Sequence, residues 1–425
     1  MTAASVLSPL FPLDSRLDER GRLELGGCDA LELAREFGTP AYIVVEEDLR
    51  ARARAFTVAA AAADVEHLHV VYASKAFPCT AVLSLFAQEG LYCDVASGGE
   101  LHLALAAGFQ PECLVVHGNA RSAEEFDDAV RVGAGLIVLD NLDDVDKLTA
   151  AVQARGANPH PVLLRIAPDV KGETHEKIST GQADTKFGFS MAEASAVIER
   201  VSANPHLRLR GLHAHIGSQL LDLAPFRAAA RALGTLGAFP VCDLGGGLGA
   251  AYAPDQTPPS IEEYVAALAG AAREFLPQTP KHLLIEPGRA LAANGVVTLY
   301  TVQSVKHNVR TWVGVDGGMS DNLRPMLYGS RYEAHVVDRM FGRQPCRVVG
   351  KHCESGDVIV PDARLDDPRP GDVLVTPATG AYGFAMANNY NGVPRPPVIF
   401  VGGGGARVVV RRETYADLLS RDVAP

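Results

Sequence analysis

The run Val70-Val71-Tyr72-Ala73-Ser74-Lys75 is apolar enough for a buried strand and ends on a lysine. Desolvation at the mouth of an apolar sheet lowers an amine pKa and frees the lone pair that attacks an aldehyde. Lys75 is therefore the first candidate for a Schiff-base residue. The plainer alternative is a strand-ending lysine that snorkels to water. Other apolar runs close in the same manner, on Asp94, Asn119, Arg165, His215, the triplet Gly245-Gly246-Gly247 and Glu286. Chain punctuation alone does not produce that many chemically capable residues at one kind of position.

Each has a use. In Gly211-Leu212-His213-Ala214-His215-Ile216-Gly217-Ser218, strand alternation puts His213 and His215 on one face, and Ser218 can bond a phosphate oxygen. A flat imidazole can stack on an aromatic cofactor. The two histidines come without evident further ligands, so no metal is expected. The segment Gly245 to Ala250 matches the GxGxxA of dinucleotide sites, but that fingerprint needs a helix to begin at once beneath the pyrophosphate. Here Ala251-Tyr252-Ala253-Pro254 leads instead into Pro258-Pro259. A backbone N–H cradle for a single phosphate, or an unliganded turn, are the readings that remain. Glu286-Pro287-Gly288-Arg289 offers a carboxylate and a guanidinium from one turn. Facing a pyridine nitrogen, that carboxylate would hold the ring proton and make the ring an electron sink; a surface ion pair is the alternative.

Eight short apolar runs must position these residues: 69–74, 92–97, 114–118, 136–141, 162–167, 209–217, 240–245 and 282–287. Between them lie helical stretches such as 79–89, 99–107, 123–132, 192–202 and 261–275. Alternation of this kind makes parallel strands with crossover helices, and eight units fit a (β/α)8 barrel, whose strand carboxyl ends converge on one mouth. An open doubly wound sheet would show similar local patterns. Beyond Leu291 the pattern changes to short strands without crossover helices, at 296–305, 310–315, 347–350, 372–376, 397–402 and 406–410, which predicts an antiparallel β domain. Residues 1–45, with a helix at 29–37 stopped by Gly38 and Pro40 and a strand at 41–45, are assigned to that second domain; 46–292 is the barrel and 293–425 the β domain.

Composition narrows the partners. The chain has 425 residues, is 47% hydrophobic and 21% charged, and carries a formal net charge of -11, the profile of an ordinary globular protein. Net acidity argues against nucleic acid and against anionic membranes. No apolar run is long enough to span a bilayer, and the N-terminus lacks a basic, then apolar leader, so a cytoplasmic location is expected. Seven cysteines, odd in number and without a CxxC pair, speak against a zinc ribbon or a disulfide framework.

In family order, the motifs Tyr72-Ala73-Ser74-Lys75-Ala76, Asp94 to Leu101, Thr180 to Gly188, His213 to Gln219, Gly245 to Gly247, Glu286 to Arg289, Asp316 to Tyr328, Cys353-Glu354-Ser355-Gly356-Asp357 and Gly380-Ala381-Tyr382 resemble the fold-type III pyridoxal-phosphate decarboxylases, the diaminopimelate decarboxylases in particular. The likeness runs from about residue 20 to the C-terminus. It implies pyridoxal 5'-phosphate as cofactor, linked to Lys75, with His215 stacking on the ring and Glu286 at its nitrogen. Ser218, Gly245, Gly246, Gly247 and Tyr382 would hold the phosphate or ring, and Asp94 and Arg165 would form a supporting pair near the lysine. Arg289, Arg324 and Tyr328 would meet substrate carboxylates, Glu354 the distal ammonium, and Cys353 would deliver the proton that replaces carbon dioxide. The implied reaction is decarboxylation of meso-2,6-diaminopimelate to L-lysine, in a homodimer whose active sites are shared. Related decarboxylases of ornithine, lysine, arginine or carboxynorspermidine are the alternative, and a non-catalytic pyridoxal-phosphate regulatory protein is the rival of another class. Two loops depart from the family pattern, Gly118-Asn119-Ala120-Arg121 and Ala167-Pro168-Asp169, which puts their local contacts in question.

Overall fold

The computed structural model describes residues 7–170 and 185–423; residues 180–184 of the Thr180 to Gly188 motif lie outside the described residues. Its backbone divides into two units, Arg52–Gly249 with Pro258–Leu291, and Met1–Ala51 with Ala250–Thr257 and Ala292–Pro425.

The first unit is a closed parallel barrel. Its strands are β1 (His67–Ala73), β2 (Tyr92–Val95), β3 (Leu114–Val116), β4 (Leu136–Leu139), β5 (His160–Ala167), β6 (Leu207–His213), β7 (Val241–Asp243) and β8 (His282–Ile285). Each pairs in parallel with the next, and β8 returns to β1 with Ile285 opposite Val70. Closure excludes the open doubly wound sheet. All eight expected runs are present, most of them shorter at the carboxyl end than their apolar stretches suggested. The interior is filled by branched side chains from alternate residues of the strands, among them Val71, Val115, Val138, Leu163, Val241 and Leu284. Such packing makes the barrel a solid scaffold and leaves only its rim for chemistry.

Local sequence explains the crossover helices. Ser122, Ser190 and Ser260 each accept from the backbone N–H three residues on, and Glu125, Glu193 and Glu263 each reach back to the cap nitrogen. These reciprocal caps start the helices Ala123–Val132, Met191–Ser202 and Ile261–Phe275, and each serine contributes about 1 kcal/mol. Between Leu209 and Gly211 the register of β6 against β5 shifts by a bulge. A side chain at Gly211 would meet the carbonyl oxygen of Val241 at 1.7 Å, so β6 and β7 close up only because this residue is glycine.

The second unit is a sheet whose backbone runs through Val358–Leu365, Gln344–Val349, Thr311–Val315, Val296–His307, Ala41–Val45, Val398–Gly402 and Gly405–Val410, with Val373–Thr376 also on the long central strand. Ala41–Val45 sits between Val296–His307 and Val398–Gly402, so the N-terminal segment completes the sheet. Most pairings are antiparallel as expected. Two are parallel, Thr311–Val315 with Gln344–Val349 and Ala41–Val45 with Val398–Gly402, which makes the sheet mixed. The strand Val358–Leu365 carries Pro361 and exposed polar residues, a pattern too weak for sequence inspection to register.

Burial of neutral imidazoles in the barrel sets an acid limit. Desolvation pushes His69, His160 and His213 down to about 4 from an ordinary 6.5. A base whose folded pKa is depressed contributes stability that is complete above about 6.5 and lost as pH falls through about 4. Urea unfolding of the protein is therefore expected to lose stability between pH 7 and pH 4.5, and His160→Gln, remote from the strand carboxyl ends, to lose less over that interval. An equal loss in the variant would remove His160 from the account.

Candidate active site

The carboxyl ends of the barrel strands carry the candidate residues. Lys75 lies in a one-turn helix, Ser74–Ala76, directly after β1, and its Nζ stands 3.0 Å from Oδ2 of Asp94 at the end of β2. Asp94 is buried and its other oxygen, Oδ1, has no hydrogen-bond donor among the described residues. The environment of the amine differs from the expected apolar mouth: the lysine side chain is 42% exposed and ion-paired.

Arg165 forms its direct ion pair with Asp140, Nε to Oδ1 at 4.0 Å, and its guanidinium covers the ring of Phe187 at 4.3 Å, while Asp94 acts on it at longer range. Asp140 is a hub at the end of β4. It accepts from Asn119 Nδ2 at 3.0 Å and from the Gly188 N–H at 2.9 Å, tying Asn119 and Gly188 to the rim. In the divergent loop after β3, Arg121 is buried and donates to Asp144 at 2.6 Å and to the Val116 and Val138 carbonyls. That loop residue pins strand ends together and lies in the scaffold, which answers the question its departure raised.

The two histidines after β6 divide. The strand stops at His213, so alternation does not carry on to His215. Nδ1 of His215 accepts from the Gly246 N–H at 3.2 Å, which places the ring proton on Nε2 and fixes the plane of the imidazole. Burial, with the cations of Lys75 and Arg165, holds His215 well below its ordinary value, so the ring is neutral at pH 7. His213 is fully enclosed and turns to Glu286, Nε2 to Oε2 at 3.4 Å.

The glycine triplet is tight packing more than a nest of donors. Gly245 donates to Asp243 Oδ1 at 2.8 Å and Gly246 to His215, which leaves the Gly247 N–H, among the described residues, without an internal acceptor. Gly245 and Gly247 have φ of +67° and +127°. A Cβ on Gly246 would meet the Glu286 carbonyl oxygen at 1.9 Å. Gly246→Ala is therefore expected to displace β7 from β8 and lower the melting temperature by several degrees, with cofactor affinity falling in parallel; unchanged affinity would show the packing to be slack. Gly247 abuts the Gly217 carbonyl, and the next residue, Ser218, accepts from Arg289 Nη2 at 2.8 Å. A cation and a hydroxyl thus lie beside the triplet, a set that suits a phosphate. No helix follows the glycines until Ile261, which removes the dinucleotide reading.

Glu286 follows β8 and is buried. His117 Nε2 stands 2.6 Å from its Oε1 without an aligned hydrogen bond, and Oε1 has no donor among the described residues. A buried acceptor of this kind is what a protonated ring nitrogen would satisfy. Sequence reasoning gave no role to His117, Asp140 or Asp243, although each directly closes an apolar strand, the same signal that marked Asp94.

The second unit holds the remaining candidates, described by themselves. Arg324 opens the short helix Arg324–Tyr328 and is buried, its guanidinium 4.2 Å above the Tyr252 ring and hydrogen-bonded to the Tyr332 hydroxyl. Tyr328 ends that helix, and Tyr382 packs half-buried on the core of this unit with φ of +66°. Cys353 is exposed, its N–H donating to Asn391 Oδ1 at 2.8 Å, and Glu354 follows it. Asp357 anchors this loop, accepting from the Met319 N–H at 2.7 Å, the His352 N–H at 3.0 Å and His352 Nδ1 at 2.7 Å. All seven cysteines are free thiols, as expected.

Comparison with known proteins agrees with this geometry. Residues 47–293 match the family model described as pyridoxal-dependent decarboxylase, pyridoxal binding domain. The chain is 46% identical to a diaminopimelate decarboxylase of Actinosynnema pretiosum, over 97% of this chain and 95% of that one. It is 44% identical to the diaminopimelate decarboxylase of Mycobacterium tuberculosis, over 97% and 98%. The crystal structure of diaminopimelate decarboxylase from M. jannaschii in complex with L-lysine superposes with a TM-score of 0.91 at 31% identity, covering 99% of both chains.

Proposed function

We infer that this chain, which belongs to the diaminopimelate decarboxylases among the pyridoxal-dependent decarboxylases, removes one carboxylate of meso-2,6-diaminopimelate to give L-lysine and carbon dioxide. The observation that carries the reading is that Lys75, His215, the glycine triplet and Glu286 issue from the carboxyl ends of four strands of one closed barrel. Pyridoxal phosphate bound there supplies a sink for the electron pair left when the carboxylate departs.

The residues divide the remaining work. Lys75 provides the amine that holds the aldehyde carbon, and Asp94, 3.0 Å away, keeps that amine directed into the rim. Ser218, Arg289 and the Gly247 N–H bind phosphate, while Gly245 and Gly246 supply clearance and the orientation of His215. The fixed His215 ring gives a flat face for stacking. Glu286 would accept a hydrogen bond from the ring N–H and so keep the ring nitrogen protonated. Arg324, Tyr328 and Tyr382 would meet the substrate, Arg324 with its planar fork against a carboxylate. Aligning that carboxylate perpendicular to the ring selects the bond that breaks. Glu354 would face the distal ammonium and the Cys353 thiol would return a proton to the carbon that lost carbon dioxide.

Family likeness supports two further assignments, a homodimer in which Cys353 completes the partner's site, and a cytoplasmic location. No helix among the described residues is long and apolar enough to cross a membrane. Release of carbon dioxide from meso-diaminopimelate, measured against L-lysine, L-ornithine, L-arginine and carboxynorspermidine, tests the substrate. A higher kcat/KM for any of the other four would replace diaminopimelate in this assignment.

A further inference from the structure

Four buried side chains the chemistry above leaves mostly unused converge at the base of the site. His117 after β3, His213 at the end of β6, Asp243 at the end of β7 and Glu286 after β8 present nitrogen and carboxylate atoms that all lie within 4.8 Å of one another. The two imidazoles meet edge to face at 4.8 Å between ring centroids. Each addresses a different oxygen of the same carboxylate, His117 Nε2 at 2.6 Å from Oε1 and His213 Nε2 at 3.4 Å from Oε2. Asp243 Oδ1 accepts from the Gly245 N–H at 2.8 Å, and its carboxyl also hydrogen-bonds with Glu286.

We infer that His117 and His213 are positioning residues for Glu286, fixing the direction and the negative charge of the carboxylate that faces the cofactor's ring nitrogen. The inference rests on the role given to Glu286 above. Burial by itself would protonate this carboxyl, and a neutral acid cannot hold a proton on a pyridine nitrogen. The imidazoles offset that: interaction with His117 first and His213 second, including hydrogen bonding from their N–H groups, holds Glu286 well below the usual carboxylate range. The second acid behaves oppositely, since burial and the charge of Glu286 push Asp243 well above that range. Asp243 therefore carries the proton and Glu286 carries the charge. Arg165 adds a distant cation, and His215 and Tyr264 also face Glu286, the former neutral at pH 7. With an imidazole close to each oxygen, the carboxylate is confined to one orientation.

The test uses holoenzyme reconstituted with pyridoxal phosphate labelled with 15N in the ring, whose nitrogen shift reports protonation directly and without turnover. In the unaltered protein the ring nitrogen is expected to stay protonated through neutral pH. In His117→Leu the pH at which it loses its proton should fall by about one to three units, the span that loss of a close electrostatic or hydrogen-bonding neighbour of the carboxylate commands. His117→Gln, which keeps a donor, should recover part of that shift, and His213→Asn should show a smaller one. Should His117→Leu fail to fold, the glutamine and asparagine variants carry the test. Glu286→Gln separates the two levels of the reading. If that variant leaves the nitrogen unmoved, the assignment of Glu286 itself is wrong. If Glu286→Gln shifts the nitrogen and neither histidine series does, Glu286 acts alone and the positioning role is lost.

Discussion

Lys75→Ala is expected to fold normally, to lose the visible absorbance of lysine-bound cofactor and to lose turnover by a factor on the order of 10⁴ to 10⁶, the scale seen when a covalent nucleophile is removed. The side chain is partly exposed and ion-paired with Asp94, so its removal opens no core cavity. It does leave Asp94 buried with both oxygens without Lys75, and a modest fall in melting temperature should accompany the loss. Absorbance spectroscopy and carbon dioxide release measure the two effects separately. A variant that kept the absorbance would place the cofactor on another amine, and one that kept turnover within tenfold would remove covalent attachment at Lys75 from the mechanism.

The second large effect separates proton return from cofactor binding. Cys353→Ala should retain the absorbance in full and lose turnover by about 10² to 10⁴, the contribution typical of a positioned acid or base. Stability should be unchanged, because Cys353 is exposed and its loop is anchored by Asp357 and Asn391 through backbone groups. Full turnover in this variant would dismiss the thiol as donor. Mixing Lys75→Ala with Cys353→Ala chains then addresses the dimer: if Cys353 serves the partner's barrel, hybrids contain one intact site and regain part of the activity. Hybrids shown to form but to remain inactive would confine each site to its own chain.

Both variants target residues that could be chosen from sequence because each lies in a short motif with a local cause. Lys75, Asp94, Arg165 and Glu286 close apolar runs, and the barrel turns every such closing position toward one rim. That relation between position and function needs no knowledge of side-chain contacts. The serine and glutamate pairs that start the helices are equally local, as are the eight strands. Partnerships could not be read that way. Asp94 and Arg165 are both rim residues, but the direct ion-pair partner of Arg165 is Asp140, at the end of the adjacent strand. His213 and His215 looked equivalent by alternation until the strand ended between them.

What the sequence by itself determined is which residues stand at strand ends, that eight strand and helix units occur in order, and that a glycine triplet follows the seventh strand. What only the tertiary structure decided is which groups face one another: the imidazoles of His117 and His213 on Glu286, the ring of His215 on the Gly246 N–H, Arg289 on Ser218, and Ala41–Val45 between strands more than 200 residues away. The physical reason is that period and capping are properties of neighbours in the chain, whereas charge state and orientation depend on atoms brought close by closure of the barrel, where a shift of one residue in register exchanges every partner.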